Sequence, residues 1–197
     1  MRRTARCLAV ALATACASAP STPQWVPARG SFTPPSGSYT IELPEGWMRL
    51  AGSEATLASR DGIFLQRIDA RTHKLGIPLG STKKVLIPGM APREVADTVR
   101  DAINSSGGVQ GMKVLESVAA DLDGRPGFKL VFAYTDRDGL KMKSVIYGAV
   151  AGDSLYELSY RAPGRHYFDR DLETFEQVRS SFRILAPPPP QAGSAEQ

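Results

Sequence analysis

Cysteine and histidine are scarce in this chain of 197 residues, which has two of each. Both cysteines, Cys7 and Cys16, lie near the N-terminus, so the rest of the chain has no thiol for a disulfide bond or thiolate chemistry. The histidines, His73 and His166, are far apart in sequence, whereas a zinc site needs about four nitrogen, sulfur or oxygen ligands. We therefore expect no metal and no cofactor. His73 is predicted to be solvated in a loop, and His166 to make a structural hydrogen bond near a helix start.

Motifs for catalysis and phosphate binding are also missing. The chain has no Gly-x-Ser-x-Gly elbow, no Ser-x-x-Lys motif outside ordinary turn sequence and no glycine-rich phosphate loop. Lys141 and Lys143 follow the Asp136 turn where a calcium loop would need further oxygen ligands. We attribute the acidic pairs to turns and to a helix start rather than to acid–base catalysis. These pairs are Asp121/Asp123, Asp136/Asp138 and Asp169/Asp171. No catalytic residue is predicted, and the protein is not expected to be an enzyme.

Long apolar runs are missing as well. The longest one near the N-terminus, Leu8 to Ala15, has only about eight residues, which is too short to span a bilayer but suits a secretory signal. Arg2, Arg3 and Arg6 precede it, as positive residues precede the apolar part of such signals. Residues 1–15 are therefore predicted to be a signal peptide that is removed.

Ala13-Thr14-Ala15-Cys16 at the end of this run resembles the lipobox of bacterial lipoprotein precursors. The resemblance implies that the Cys16 thiol is acylated and that Cys16 becomes the first residue of the mature chain. Two or more acyl chains give stable membrane anchoring. Because Ala17 rather than aspartate follows, the expected location is the periplasmic face of the outer membrane. The alternative is an ordinary signal cleaved after Ala15 or Ala17, which gives a soluble periplasmic or secreted protein.

The apparent basicity of the chain belongs mostly to this leader. Residues 1–15 contain three arginines and no acidic residue, so their removal lowers the formal charge from +4 to +1. A nearly neutral chain with interspersed charges has no electrostatic surface suited to nucleic acid. Nucleic-acid binding is therefore excluded.

Composition divides the mature chain into three parts. Residues 16–36 are rich in proline, serine and threonine and are predicted to be an extended tether. Residues 37–185 have the apolar patterns of a single α+β domain, and residues 186–197 begin with four prolines and are predicted to be a disordered tail. A body of this length can bury enough apolar surface to fold without disulfides.

Hydrophobic periodicity within residues 37–185 predicts strands and two helices. Strands are expected at 39–43, 56–59, 63–70, 112–121, 128–135, 140–150 and 154–161. A helix of about three turns is predicted from Pro92, and another where apolar residues recur from Phe168 to Phe182. We expect an α+β fold in which an antiparallel sheet of about six strands is covered by helices.

Four segments together resemble the PsbP/Mog-type α/β/α sandwich over nearly all of residues 37–185. These segments are Tyr39-Thr-Ile-Glu-Leu-Pro-Glu-Gly-Trp47, Pro92-Arg-Glu-Val-Ala96, Gly124-Arg-Pro-Gly-Phe128 and the aromatic helix ending at Ser181-Phe182. The chain is also similar to proteobacterial lipoproteins that carry this domain. That family includes an extrinsic subunit of the photosynthetic oxygen-evolving complex and a nuclear-transport accessory factor. The resemblance thus implies protein binding rather than catalysis, and it assigns no binding residue.

The expected function is that of a non-enzymatic, lipid-anchored envelope module that binds an envelope protein. The alternative is a periplasmic small-ligand carrier or a minor hydrolase, with a cleft under the loop of residues 71–91. Within this loop, residues 75–90 combine apolar side chains with turn-forming glycines and prolines, so the segment either closes over the sheet or offers an apolar patch. A cavity around His73 or His166 would favour the alternative.

Overall fold

The computed structural model describes residues 24–185, which form eleven strands and two helices. The predicted signal peptide, the lipidation site Cys16 and the predicted tail at 186–197 lie outside the described residues. The elements are β1 (Trp25–Pro27), β2 (Ser31–Phe32), β3 (Tyr39–Glu42), β4 (Met48–Leu50), β5 (Thr56–Ser59), β6 (Arg67–Lys74), α1 (Pro92–Asn104), β7 (Gln110–Leu122), β8 (Arg125–Thr135), β9 (Lys141–Ala151), β10 (Ser154–Pro163), α2 (Tyr167–Ser181) and β11 (Arg183–Ile184).

The main sheet has eight strands, in the order β1-β4-β5-β6-β10-β9-β8-β7, and all neighbours are antiparallel. The prediction of about six strands was therefore too low. A smaller sheet has the order β11-β3-β2 and is also antiparallel. The α+β class and the layered arrangement of helices on an antiparallel sheet are confirmed.

The folded region begins before residue 37, inside the segment predicted to be a tether. Strand β1 pairs with β4, and β2 pairs with β3. Ala28 between them is only 4% exposed. Strand β1 lies at the edge of the main sheet, where Pro27 is tolerated because an edge strand does not need every N–H. Composition alone did not indicate these strands, because their partners lie elsewhere in the chain.

Helix α2 covers one face of the main sheet through aromatic packing. The rings of Phe168 and Phe175 both stack on Tyr160 of β10, with centroids 5.4 and 5.6 Å away. Phe182, just after the helix, stacks on Tyr39 of β3 at 5.0 Å. The apolar residues that recur along the predicted helix all pack in this core, Leu172 half-buried and Phe168, Phe175, Val178 and Phe182 buried. The predicted helix is confirmed, and its apolar face packs against the sheet.

Helix α1 covers the opposite face only in part. Its buried residues Val95, Val99 and Ala102 pack with Phe128 and Phe132 of β8. The helix contacts β7 and β8, at one side of the sheet. The helix starts at Pro92 as predicted, and the Ala91 N–H donates to the Glu94 carboxylate at 2.8 Å, which supports that start. The strands on the other side of this face, β6 and β10, have no helix over them.

The segment of residues 75–90 both closes over the sheet and presents apolar side chains to solvent. Leu79 and Leu86 are buried in the core under α1, at 7% and 2% exposure. Ile77 and Ile87 face outward, at 59% and 55% exposure. The segment therefore packs on the face of the sheet beside α1 and also forms part of the rim of a cleft.

Candidate functional site

A cleft of about 360 Å³ lies between helix α1, the segment of residues 75–90 and the uncovered part of the main sheet. Its floor is formed by the face of β6, β10 and β9 that points away from α2. Its wall is formed by α1 and β8 through apolar side chains. The residues of this wall are Val99, Ala102, Ile103, Phe132 and Tyr134. The volume lies at the lower end of the range found for small-ligand pockets.

Strict alternation along β6 and β10 supplies the polar floor of the cleft. In β6, Arg67, Asp69, Arg71 and His73 face the cleft, whereas Ile68 and Ala70 are buried in the core under α2. This order follows from the period of two along a strand. In β10, the corresponding cleft residues are Glu157, Ser159 and Arg161.

One carboxylate is shared by two of the three cleft arginines. Arg67 Nε donates to Asp69 Oδ2 at 2.7 Å, and an Arg71 Nη atom lies 3.8 Å from Asp69 Oδ1. Asp69 itself is 9% exposed. The single negative charge of Asp69 is therefore divided between two guanidinium groups.

Arg161 has no acidic partner among residues 24–185. In the pairing of β10 with β6, it lies directly opposite Arg67, so two positive side chains are neighbours on one face. Burial lowers the pKa of Arg67 below its usual value, and the charge of Arg161 acts in the same direction while Asp69 opposes both. Burial likewise raises the pKa of the Tyr134 hydroxyl, and the charge of Arg161 opposes that increase. The floor thus has a positive charge that the described chain leaves uncompensated.

His73 and Glu157 form a hydrogen-bonded pair in the cleft. His73 Nε2 lies 2.6 Å from Glu157 Oε2, and the two side chains are 29% and 11% exposed. The prediction that His73 is solvated in a loop is therefore wrong. Strand β6 starts at Arg67 rather than at 63 and runs to Lys74, so His73 is a strand residue. The cleft contains three arginines and two carboxylates, and Glu157 is held by His73.

His166 is not part of this site. It is exposed at the start of α2, with a φ of 66°, and its ring meets Tyr167 edge-on with centroids 5.4 Å apart. Its ring makes no hydrogen bond to any described residue, so the predicted structural hydrogen bond is not found there. Of the two histidines in the sequence, His73 lies in the cleft and His166 does not.

Each acidic pair has a member that makes structural contacts, and in the first pair Asp123 accepts a hydrogen bond from the Ile184 N–H at 2.9 Å. Asp136 accepts hydrogen bonds from the backbone N–H groups of Asp138 and Leu140 in the β8–β9 turn. Asp171 is 2% exposed and accepts hydrogen bonds from Gln66, Arg60 and Arg170. Across residues 24–185, no three histidine, cysteine, aspartate or glutamate side chains are grouped as metal ligands.

Sequence reasoning located the cleft through the loop above it but missed most of its floor. The signal was present as Arg67-x-Asp69-x-Arg71-x-His73, a period of two with charged residues on one face. The predicted strand at 63–70 includes Arg67 and Asp69, but the prediction assigned Arg71 and His73 to the following loop because the polar residues 71–74 continue no apolar face. The opposition of Arg67 and Arg161 depends on the pairing register of two strands far apart in sequence.

Residues 30–184 match the family model of PsbP. The chain belongs to the PsbP family. Its structure is similar to that of cyanobacterial PsbP (CyanoP) from Synechocystis, with a TM-score of 0.53 and 14% identity over 87% of this chain and 98% of that one. It is also similar to the Ran-binding protein Mog1p of Saccharomyces cerevisiae, with a TM-score of 0.52 and 10% identity over 81% of this chain and 96% of that one. No curated protein sequence matches the chain.

These PsbP-family likenesses establish the fold. At 14% and 10% identity they transfer no cleft residue, so the charges of the cleft must be interpreted from this chain alone. Neither α1 nor α2 is both long enough and apolar enough to cross a membrane, and these are the two helices of the described region.

Proposed function

We propose that this PsbP-family protein is a non-catalytic binding module of the bacterial cell envelope, and that the cleft beside α1 is its binding site. The observation that carries the proposal is the open half of one sheet face, where charged floor residues meet an apolar wall. Pockets that bind small ligands combine a mostly apolar lining with a few convergent polar groups. The fold is shared with Mog1p, a Ran-binding protein, which supports a binding role for this scaffold.

The His73–Glu157 pair is the arrangement in the cleft that most resembles catalytic machinery. A hydrolase of the serine type also needs a hydroxyl that donates to the histidine ring. Among the described residues, the Ser144 hydroxyl donates to the Tyr160 carbonyl at 3.2 Å, and no hydroxyl group hydrogen-bonds to His73. This geometry supports binding over hydrolysis.

The test of the cleft is whether the protein carries a small molecule from its own membranes. Native mass spectrometry of the purified protein is expected to detect a ligand that is released on unfolding. Ile103→Trp fills the cleft from α1 and should abolish this ligand, whereas Ile87→Trp, at a position that is 55% exposed and outside the cleft, should retain it. Protein without any ligand, or equal loading of both variants, would contradict the proposal.

The proposed location is the periplasmic face of the outer membrane, with the acylated Cys16 as anchor. The support is the lipobox-like sequence ending at Cys16 and Ala17. Intact-mass spectrometry of membrane-extracted protein should find acyl chains on the wild type and none on Cys16→Ala. A wild-type protein that is wholly soluble and has an unmodified mass would rule out the anchor.

An envelope protein partner is the second candidate, and the exposed edge strand β7 favours it. Val114, Leu115 and Val118 are 40%, 48% and 46% exposed on this strand, which ends the main sheet. An unpaired strand edge can accept a further strand from another chain. If β7 is the interface, crosslinking in intact envelopes should recover the partner with the Ile103→Trp variant but not with the Val118→Lys variant.

A further inference from the structure

We propose that the ligand of the cleft is a small amphipathic anion, in which a carboxylate or phosphate group is joined to an apolar chain or ring. The inference rests on the proposed binding function and adds the chemistry of the ligand. Arg161 and Arg67 would bind the anionic group, and the apolar wall would cover the rest of the molecule.

The positive charge of the cleft is not balanced by the carboxylates that line it. Arg161 faces the cleft and forms no ion pair among residues 24–185, while Arg67 shares Asp69 with Arg71. Glu157 is engaged by His73 at 2.6 Å. The cleft therefore has a guanidinium group for which residues 24–185 provide no carboxylate.

The unpaired guanidinium group of Arg161 lies beside a second positive charge. Arg161 and Arg67 are directly opposed across β10 and β6, where like charges repel. An anion between the two guanidinium groups would turn this repulsion into two attractions. Guanidinium groups bind carboxylate and phosphate oxygens with pairs of parallel hydrogen bonds, so both groups meet the requirement.

The cleft also has an apolar side. Beside the arginines, the wall residues Val99, Ile103 and Phe132 and the floor residue Ile146 form an apolar surface that a free inorganic anion would leave uncovered. Covering apolar surface stabilises a complex in proportion to the area removed from water. A volume of about 360 Å³ accommodates part of a small amphiphile and excludes a folded domain.

The experiment measures binding of four probes by isothermal titration calorimetry. The full chain carries Cys16→Ala, so that no attached acyl chain competes. The probes are decanoate, decyl phosphate, decanol and inorganic phosphate, each below its micelle-forming concentration. At least one of the two amphipathic anions should bind more tightly than decanol and inorganic phosphate by about tenfold to a hundredfold. Which of decanoate and decyl phosphate binds better identifies the anionic group.

The variants separate the anion site from the cleft itself. Arg161→Gln should remove the preference for the anions over decanol, and Arg93→Gln, an exposed arginine of α1 outside the cleft, should keep it. If neither decanoate nor decyl phosphate binds more tightly than decanol, or if Arg161→Gln leaves the preference unchanged, the inference is overturned. If Ile103→Trp still abolishes decanol binding in that case, the cleft remains a binding site. Equal affinity for inorganic phosphate, or no binding of any probe, also overturns it.

Discussion

Replacement of Arg161 by glutamine should leave the ligand-free protein at least as stable as the wild type. Arg161 makes no ion pair within residues 24–185 and is opposed by Arg67 across the β6–β10 pairing. Cross-strand pairs of this kind alter the free energy of unfolding by about 0.2–1 kcal/mol, and like charges do so unfavourably. For a domain of this size, the gain corresponds to an increase in Tm of about 0.5–4 °C.

A double-mutant cycle isolates this repulsion from other effects. Arg67→Gln alone leaves the buried Asp69 with only the Arg71 contact at 3.8 Å, which should cost about 1–3 kcal/mol. In an Arg161→Gln background, Arg67→Gln should lower the free energy of unfolding by about 0.2–1 kcal/mol more than in the wild type, because there is no longer any repulsion between Arg67 and Arg161 to relieve. Urea unfolding of the wild type, the two single variants and the double variant gives the coupling energy between Arg67 and Arg161. Equal costs in both backgrounds, or an Arg161→Gln protein more than about 1 kcal/mol less stable than the wild type, would refute the reasoning.

Three further predictions concern the rest of the domain. Asp171→Ala should lower the free energy of unfolding, measured in urea, by about 3–5 kcal/mol, because the Asp171 side chain is 2% exposed and surrounded by cationic and amide donors. Asp169→Ala is the control: the Asp169 side chain is 70% exposed, so this change should alter the free energy of unfolding by less than about 0.5 kcal/mol. Gly148→Ala should cost about 1–3 kcal/mol, measured in the same way, because its Cβ would lie 2.5 Å from the buried Phe128 ring. Alkaline pH should unfold the protein, since burial raises the pKa of four tyrosines above 10.0: Tyr39, Tyr134, Tyr147 and Tyr160. The folded chain holds these protons more tightly than the unfolded chain, so this stability is fully present below about pH 10 and lost above it, and tyrosinate absorbance should increase together with the loss of circular dichroism.

The elements that could be predicted from the sequence are those whose own side chains define a buried face. Helix α2 has an apolar stripe, and the aromatic residues of β8 and β10 alternate with the period of a strand, so their types and approximate bounds followed from local pattern. Strands β1 and β2 could not be predicted in this way. They are short, lie among prolines and obtain their stability from pairing with β4 and β3.

The candidate site was predictable only in outline, for a related reason. The loop over the cleft was visible as an apolar segment interrupted by glycine and proline, and His73 was visible as one of two histidines. The charge of the floor arises when Arg67 and Arg161 become neighbours, and that depends on one register out of several possible ones. A shift of one residue in that register would turn one of these side chains to the other face of the sheet.

The two faces of the sheet divide stability and binding between them. On the α2 face, Tyr160 stacks with Phe168 and Phe175, and the buried Asp171 links the helix to the loop before β6. On the other face, α1 leaves β6 and β10 open, and the side chains there contribute charge rather than apolar packing. Substitutions at the floor of the cleft can therefore alter ligand binding without disrupting the fold. Arg161→Gln should accordingly change binding and keep the fold, whereas Asp171→Ala should destabilise the fold and, in the molecules that remain folded, keep the preference for anions. A parallel loss of both properties in the two variants would mean that the faces are not independent.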